Sequence, residues 1–94
     1  MTTFFMLGKY SAEAVKEMSA ERTEKGNNLI RKFGGKVISI HAMLGEYDLI
    51  FIVDFPGIED AMKASAALSK LTGISFITLP SIDVRDFDRM MTDI

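Results

Sequence analysis

The stretch Gly45-Glu46-Tyr47-Asp48-Leu49-Ile50-Phe51-Ile52-Val53-Asp54-Phe55-Pro56 constrains this chain more than any other. It reads as a turn opening a long strand, which Pro56-Gly57 closes. Successive strand residues point to opposite faces. Leu49, Phe51 and Val53 share one parity, Ile50 and Ile52 the other, so both faces are apolar. Such a strand belongs in the middle of a sheet, covered on both sides.

Its partner precedes it. Lys36 to Leu44 reads as a strand, and Gly45-Glu46 as a two-residue hairpin loop, which pairs Leu44 with Tyr47, Met43 with Asp48 and His41 with Ile50. That register sorts the side chains. One face carries Ile38, Ile40, Ala42, Leu44, Tyr47, Leu49, Phe51 and Val53, and is the face expected to hold the helices. The other carries Val37, Ser39, His41, Met43, Asp48, Ile50, Ile52 and Asp54, apolar with polar groups among them. A slip of one residue would scramble the separation.

The remaining elements follow from local signals. Thr3 to Lys9 is a first strand, apolar in both parities: Phe4 and Met6, Phe5 and Leu7. Ser11 suits a helix N-cap, and a helix runs from residue 12 to Phe33 with a stripe of Val15, Met18, Leu29 and Phe33. Arg22 and Gly26 interrupt that stripe, so the helix is expected to kink or divide near Ser19-Ala20, and Gly34-Gly35 ends it. Ile58 to Leu71 is a second helix with an inner stripe of Ile58, Ala61, Met62, Ser65 and Leu68, capped by Gly73. Ile74 to Leu79 is a fourth strand ended by Pro80. In the tail, Asp83 to Ile94, the residues Val84, Phe87, Met90, Met91 and Ile94 recur at helical spacing. The order β-α-β-β-α-β is the ferredoxin-like arrangement of the α+β class. It is an antiparallel sheet with two helices on one face, here followed by a short C-terminal helix, in a single domain spanning residues 1–94.

Composition narrows the function classes. The chain has 94 residues, 48% hydrophobic, with a formal charge of -2 and both signs interspersed. No basic face is available for nucleic acid or an anionic membrane. There is no cysteine, which removes disulfides, thiolate catalysis and thiolate-bound zinc. One histidine cannot build an ordinary metal site, and no phosphate-cradling glycine motif is present, so neither a metal nor a cofactor is expected. No apolar run approaches the ~20 residues of a membrane span, and the opening Met1-Thr2-Thr3-Phe4-Phe5 lacks a signal peptide's basic and apolar regions. A cytoplasmic location is expected.

At Gly45-Glu46-Tyr47-Asp48 the chain resembles the GYD-domain proteins, which are small, mostly bacterial and named for this Gly, Tyr, Asp signature. The opening Phe4 to Tyr10, the Gly34-Gly35-Lys36 junction and the strand Ile77-Thr78-Leu79 are also similar to that family. The resemblance implies the dimeric α/β-barrel superfamily, whose ferredoxin-like protomers pair sheet to sheet. Its members include cofactor-free monooxygenases, haem-handling enzymes and small-ligand sensors, so it speaks for the fold more than for any chemistry.

Two functional readings remain. His41 and Asp48 fall on adjacent strands of the second face, one diagonal step apart, where a carboxylate could orient an imidazole as a general base. Ser39 adds a hydroxyl, Tyr47 a phenol, and Arg22 an anion-binding group on a helix stripe. These residues would serve a cofactor-free enzyme, an oxygenase or isomerase acting on a small apolar substrate. The preferred reading is plainer: a homo-oligomeric module that binds a small molecule or acts structurally, with Asp48 capping backbone donors or pairing across an interface and His41 a partly buried interface residue. Two helices cover one side of a sheet. The second face, with Val37, Met43, Ile50, Ile52 and Met6 or its neighbours, is then expected to join a second copy in a homodimer or larger assembly.

Overall fold

The computed structural model describes residues 1–94. Four strands, β1 (Thr2–Lys9), β2 (Lys36–Ala42), β3 (Leu49–Phe55) and β4 (Ser75–Ser81), form one sheet in the order β2-β3-β1-β4, with every neighbouring pair antiparallel. Four helices accompany them: α1 (Ala12–Lys16), α2 (Ala20–Lys32), α3 (Ile58–Thr72) and α4 (Val84–Met91). The ferredoxin-like order is that read from the sequence. The two strands apolar on both faces, β1 and β3, are the two central ones.

One face of the sheet is buried under α2 and α3. Phe4 and Met6 of β1 and Phe51, Val53 and Phe55 of β3 meet Ile30 of α2 and Leu68 of α3 in a continuous core. Phe4 and Phe55 pack edge to face with ring centres 5.8 Å apart, a geometry that suits the ring quadrupoles. Met6, expected on or near the opposite face, is fully buried on this one.

The expected break in the first helix is present. Ser11 caps α1 by accepting a hydrogen bond from the Ala14 N–H at 3.0 Å, and Ser19 caps α2 by accepting one from the Arg22 N–H at 3.0 Å. The inner stripe differs from expectation. Val15 and Met18 are exposed, while Ala14, Gly26 and Ile30 are buried. Gly26 marks the reason: a Cβ there would stand 3.3 Å from Leu68 Cδ1, so α2 and α3 approach closely at the position where a side chain is missing. Helix α3 is also turned from the expected orientation. Its buried stripe is Ala61, Ala64, Leu68 and Thr72, and Ile58 and Met62, expected inside, are exposed.

The hairpin departs from a two-residue turn. His41 pairs with Ile50 and Ala42 with Leu49 as the register requires, and the Met43 N–H donates to the Asp48 carbonyl at 2.9 Å. Leu44 and Tyr47 do not pair. They lie in a loop from Met43 to Asp48, with Leu44 fully exposed. Asp48 explains this, because its own N–H donates to the Gly8 carbonyl at 2.9 Å and draws the segment toward β1.

Further along β2 a bulge falls between Val37 and Ser39. Val37 therefore faces the helices opposite Val53, and Ile38 is 52% exposed, the reverse of the sequence parity. Strand β4 continues through Pro80 to Ser81 instead of stopping before the proline. An edge strand tolerates this, since one side of its ladder has no partner.

Strain at two glycines differs in kind. At Gly35 a Cβ would meet Ile30 Cγ2 at 2.6 Å and Phe55 Cε1 at 2.7 Å. At Gly45 φ is +118° and nothing lies within 4 Å of the added atom. Gly35→Ala should lower the unfolding free energy by ~1–3 kcal/mol through overpacking. Gly45→Val should cost ~1–3 kcal/mol through the backbone alone. Urea unfolding of both variants checks this, and an unchanged midpoint for either would contradict the assigned cause.

Candidate functional site

The sheet face away from α2 and α3 carries three ranks of side chains, set by the strand registers. The first runs Lys36, Asp54, Thr3, Ser81. The second runs Ser39, Ile52, Phe5, Leu79, and the third His41, Ile50, Leu7, Ile77. Two ranks are thus apolar across three strands, and each ends on β2 in a polar side chain. No helix packs over them. Ile77 and Leu79 on the edge strand are each 46% exposed, and Phe5, Leu7, Ile50 and Ile52 are half-buried by their neighbours.

The polar rank is held together internally. The Thr3 hydroxyl donates to the Asp54 carboxylate, and the Ser81 hydroxyl donates to the Thr3 carbonyl at 2.9 Å. Asp54 therefore has a hydrogen-bond partner on a surface otherwise poor in them.

The residues singled out from the sequence separate into two places. Ser39 and His41 lie on this face, two residues apart on β2, with Ser39 half-buried and His41 exposed. The hydrogen bond expected between His41 and Asp48 is not made. Asp48 Oδ2 accepts from the Tyr10 N–H at 2.9 Å instead, which ties the loop before β3 to the end of β1. Arg22 converges on the same residue from the other side. Its guanidinium lies 5.4 Å from the centre of the Tyr10 ring, within cation–π range, and donates a hydrogen bond to the Ala14 carbonyl. Arg22 is thereby the clasp between α1 and α2. The depression beside it, about 250 Å³, carries Glu17 and Glu21 as well as Lys25, so its charges are mixed. Tyr47 is half-buried in the loop between β2 and β3. No three His, Asp or Glu side chains come together as a metal site would require.

The sequence reading missed a second feature. On the helix side, a groove of about 420 Å³ runs between α3 and β4. Ile58, Met62 and Ala66 line one wall, Phe76 and Pro80 the other. The Thr78 hydroxyl donates to Ser65 Oγ at 2.9 Å across it. The signal was the spacing Ile58, Met62, Ser65, Ala66, Ser69, a second stripe on α3 beside the buried one.

The family model of the GYD domain matches residues 4–91. The chain belongs to the GYD-domain family. No curated protein matches this GYD-domain chain in sequence. Among solved structures it is similar to the leucine response regulatory protein LrpA of Mycobacterium tuberculosis, with a TM-score of 0.58 and 7% identity. The match covers 87% of this chain and 51% of that one, so the chain spans about half the length of the structure it resembles. At that identity the likeness is one of fold alone. No helix of the GYD-domain protein is long and apolar enough to cross a membrane.

The Asp48 contact can be tested directly. Asp48→Ala would leave the Tyr10 N–H without its acceptor and should cost ~1–2 kcal/mol in urea unfolding. Amide exchange at Tyr10 should accelerate, and Asp48→Asn, which keeps an oxygen acceptor, should lie between. A Tyr10 amide exchanging at the wild-type rate in Asp48→Ala would show that the contact carries no stability.

Proposed function

We propose that this GYD-domain protein is a homodimeric module in which two copies stack their open sheet faces and enclose a small apolar molecule, or close on each other, without chemistry of their own. The observation that supports this reading is the pair of apolar ranks, Ile52-Phe5-Leu79 and Ile50-Leu7-Ile77, left without a covering layer. Fully burying one such side chain is worth ~1.5–3 kcal/mol, and four of these six are half-buried already. The six together still offer on the order of 5–10 kcal/mol. That is the scale needed to offset the ~4–15 kcal/mol cost of association. Two sheets pack well face to face at ~10 Å, which makes a second copy of the same surface a fitting cover.

Under this reading Ser39 and His41 stand at the β2 edge of the apolar ranks, where they can give an apolar guest one orienting hydrogen bond. The enzyme alternative asks Asp48 to orient His41. The engagement of the Asp48 carboxylate by Tyr10 favours the module.

Light scattering behind size exclusion tests the assembly. The wild-type chain should run as a dimer or a multiple of dimers at micromolar concentration. Ile52→Lys should break the interface by leaving a charge unpaired inside it. Leu79→Lys, on an exposed edge position that does not threaten folding, should do the same with native circular dichroism. Leu71→Lys, exposed on α3 and so away from the open face, should assemble as the wild type does. A monomeric wild type, or stable dimers of both Ile52→Lys and Leu79→Lys, would overturn the proposal.

A further inference from the structure

Helix α4 and the groove between α3 and β4 are both left without a partner in this chain, and they match each other. Around the axis of α4, Val84, Phe87, Met90 and Met91 fill a continuous arc of about 120°, wide enough for a packed helix face, and Ile94 follows just past its end. All five are exposed, from Met91 at 38% to Ile94 at 92%. The charged residues lie off that arc, and four of them pair: Arg85 with Asp83, and Arg89 with Asp86, which leaves Asp88 and Asp93 as the surplus charge. The α4 N-terminus is capped within its own segment, since Asp83 Oδ1 accepts from the Arg85 N–H at 2.8 Å. The helix is therefore a preformed element with one apolar face and nothing against it.

It also stands away from the body. The radius of gyration is 14.3 Å, where a compact chain of this length has about 12 Å, and the longest extent is 50 Å. Where α4 does approach its own chain, Asp86 lies beside Met1–Thr3 and Ser81, at the sheet's end and not in the groove.

The groove has the complementary character. None of its lining side chains is charged. Its α3 wall presents small residues, Ala61, Ser65 and Ala66, beside the larger Ile58 and Met62, which are 61% and 66% exposed. From Ile58 to Ser69 it runs about 16 Å along α3. The eight residues of α4 span about 12 Å. An amphipathic helix laid in an apolar groove is an established mode of recognition.

We infer that α4 docks into the α3–β4 groove of another copy of this chain. The groove lies on the helix side of the sheet, opposite the ranks proposed to stack, so the two contacts are separate. Face-to-face stacking would make dimers, and exchange of α4 would join dimers into a larger assembly. Reciprocal exchange about a two-fold axis closes such an assembly.

The absence of cysteine gives a background-free test. Met62→Cys, in the groove, is mixed in turn with Val84→Cys, Met91→Cys and Ile94→Cys, which sample the length of the α4 arc. Oxidation should link distinct chains in at least one mixture, at several times the yield of a control pairing Met62→Cys with Glu24→Cys on α2. Adding Phe87→Glu to the α4 variant should return the yield to the control. Yields no higher than the control in all three mixtures would overturn the inference. So would cross-links that form only within one chain carrying both cysteines, since α4 would then occupy its own groove. Repeating the mixtures in the Leu79→Lys background separates the two contacts: the cross-link should persist even where stacking is lost or never occurs.

Discussion

A sheet has two faces, and a chain that connects its strands through helices on one side covers only one of them. The rest of this structure follows from that constraint. β1 and β3 are central and carry large apolar side chains on both faces, yet α2 and α3 cover one. The covered face is packed to the limit, with Met6, Ile30, Val53 and Phe55 wholly excluded from solvent and with Gly35 pressed against Ile30 and Phe55. The other face keeps its six apolar side chains in an orderly array bounded by hydroxyls, one imidazole and a hydrogen-bonded carboxylate. The folded chain is thus saturated on one side and incomplete on the other.

Much of this was legible in the residues because it rests on periodicity of two. The both-sided apolar runs at Phe4–Leu7 and Leu49–Val53 identified the central strands, and the pairing of His41 with Ile50 followed from the hairpin. The break near Ser19-Ala20 was legible because Arg22 and Gly26 spoil the apolar stripe, while the cap that Ser19 provides is seen only in the structure. What escaped reading depends on contacts between distant segments. Asp48 opens the hairpin loop because it bonds to Gly8 and Tyr10, forty and thirty-eight positions away. Gly26 admits Leu68 where α2 meets α3, a contact that no pattern within α3 announces. The bulge at Ile38 reverses Val37 and Ile38 without any glycine to mark it. The proposed base pair of His41 and Asp48 was drawn from strand parity. Parity places a side chain on a face but does not say which backbone donor will claim its carboxylate first.

The GYD signature itself gains a structural meaning. Gly45 supplies the left-handed turn, and Asp48 fastens the loop to β1 through one backbone and one side-chain hydrogen bond. Those are architectural tasks. The same ferredoxin-like layout is shared with LrpA at 7% identity, so it constrains function little. What individualises this chain is its surfaces: the ranked face, the uncharged groove and the projecting helix.

The margins of the sheet carry one more consequence. An exposed edge strand offers a row of free backbone donors and acceptors, a template on which identical chains can add without limit. Here one margin is bent by the bulge at Ile38 and begins in Lys36, and the other holds Pro80, which has no N–H to offer. Both ends of the ladder are blunted, while the broad face between them is left apolar. Fibre growth by strand addition is thereby discouraged at both margins. The surfaces left open are ones on which shape, and not a repeating backbone, would decide what fits.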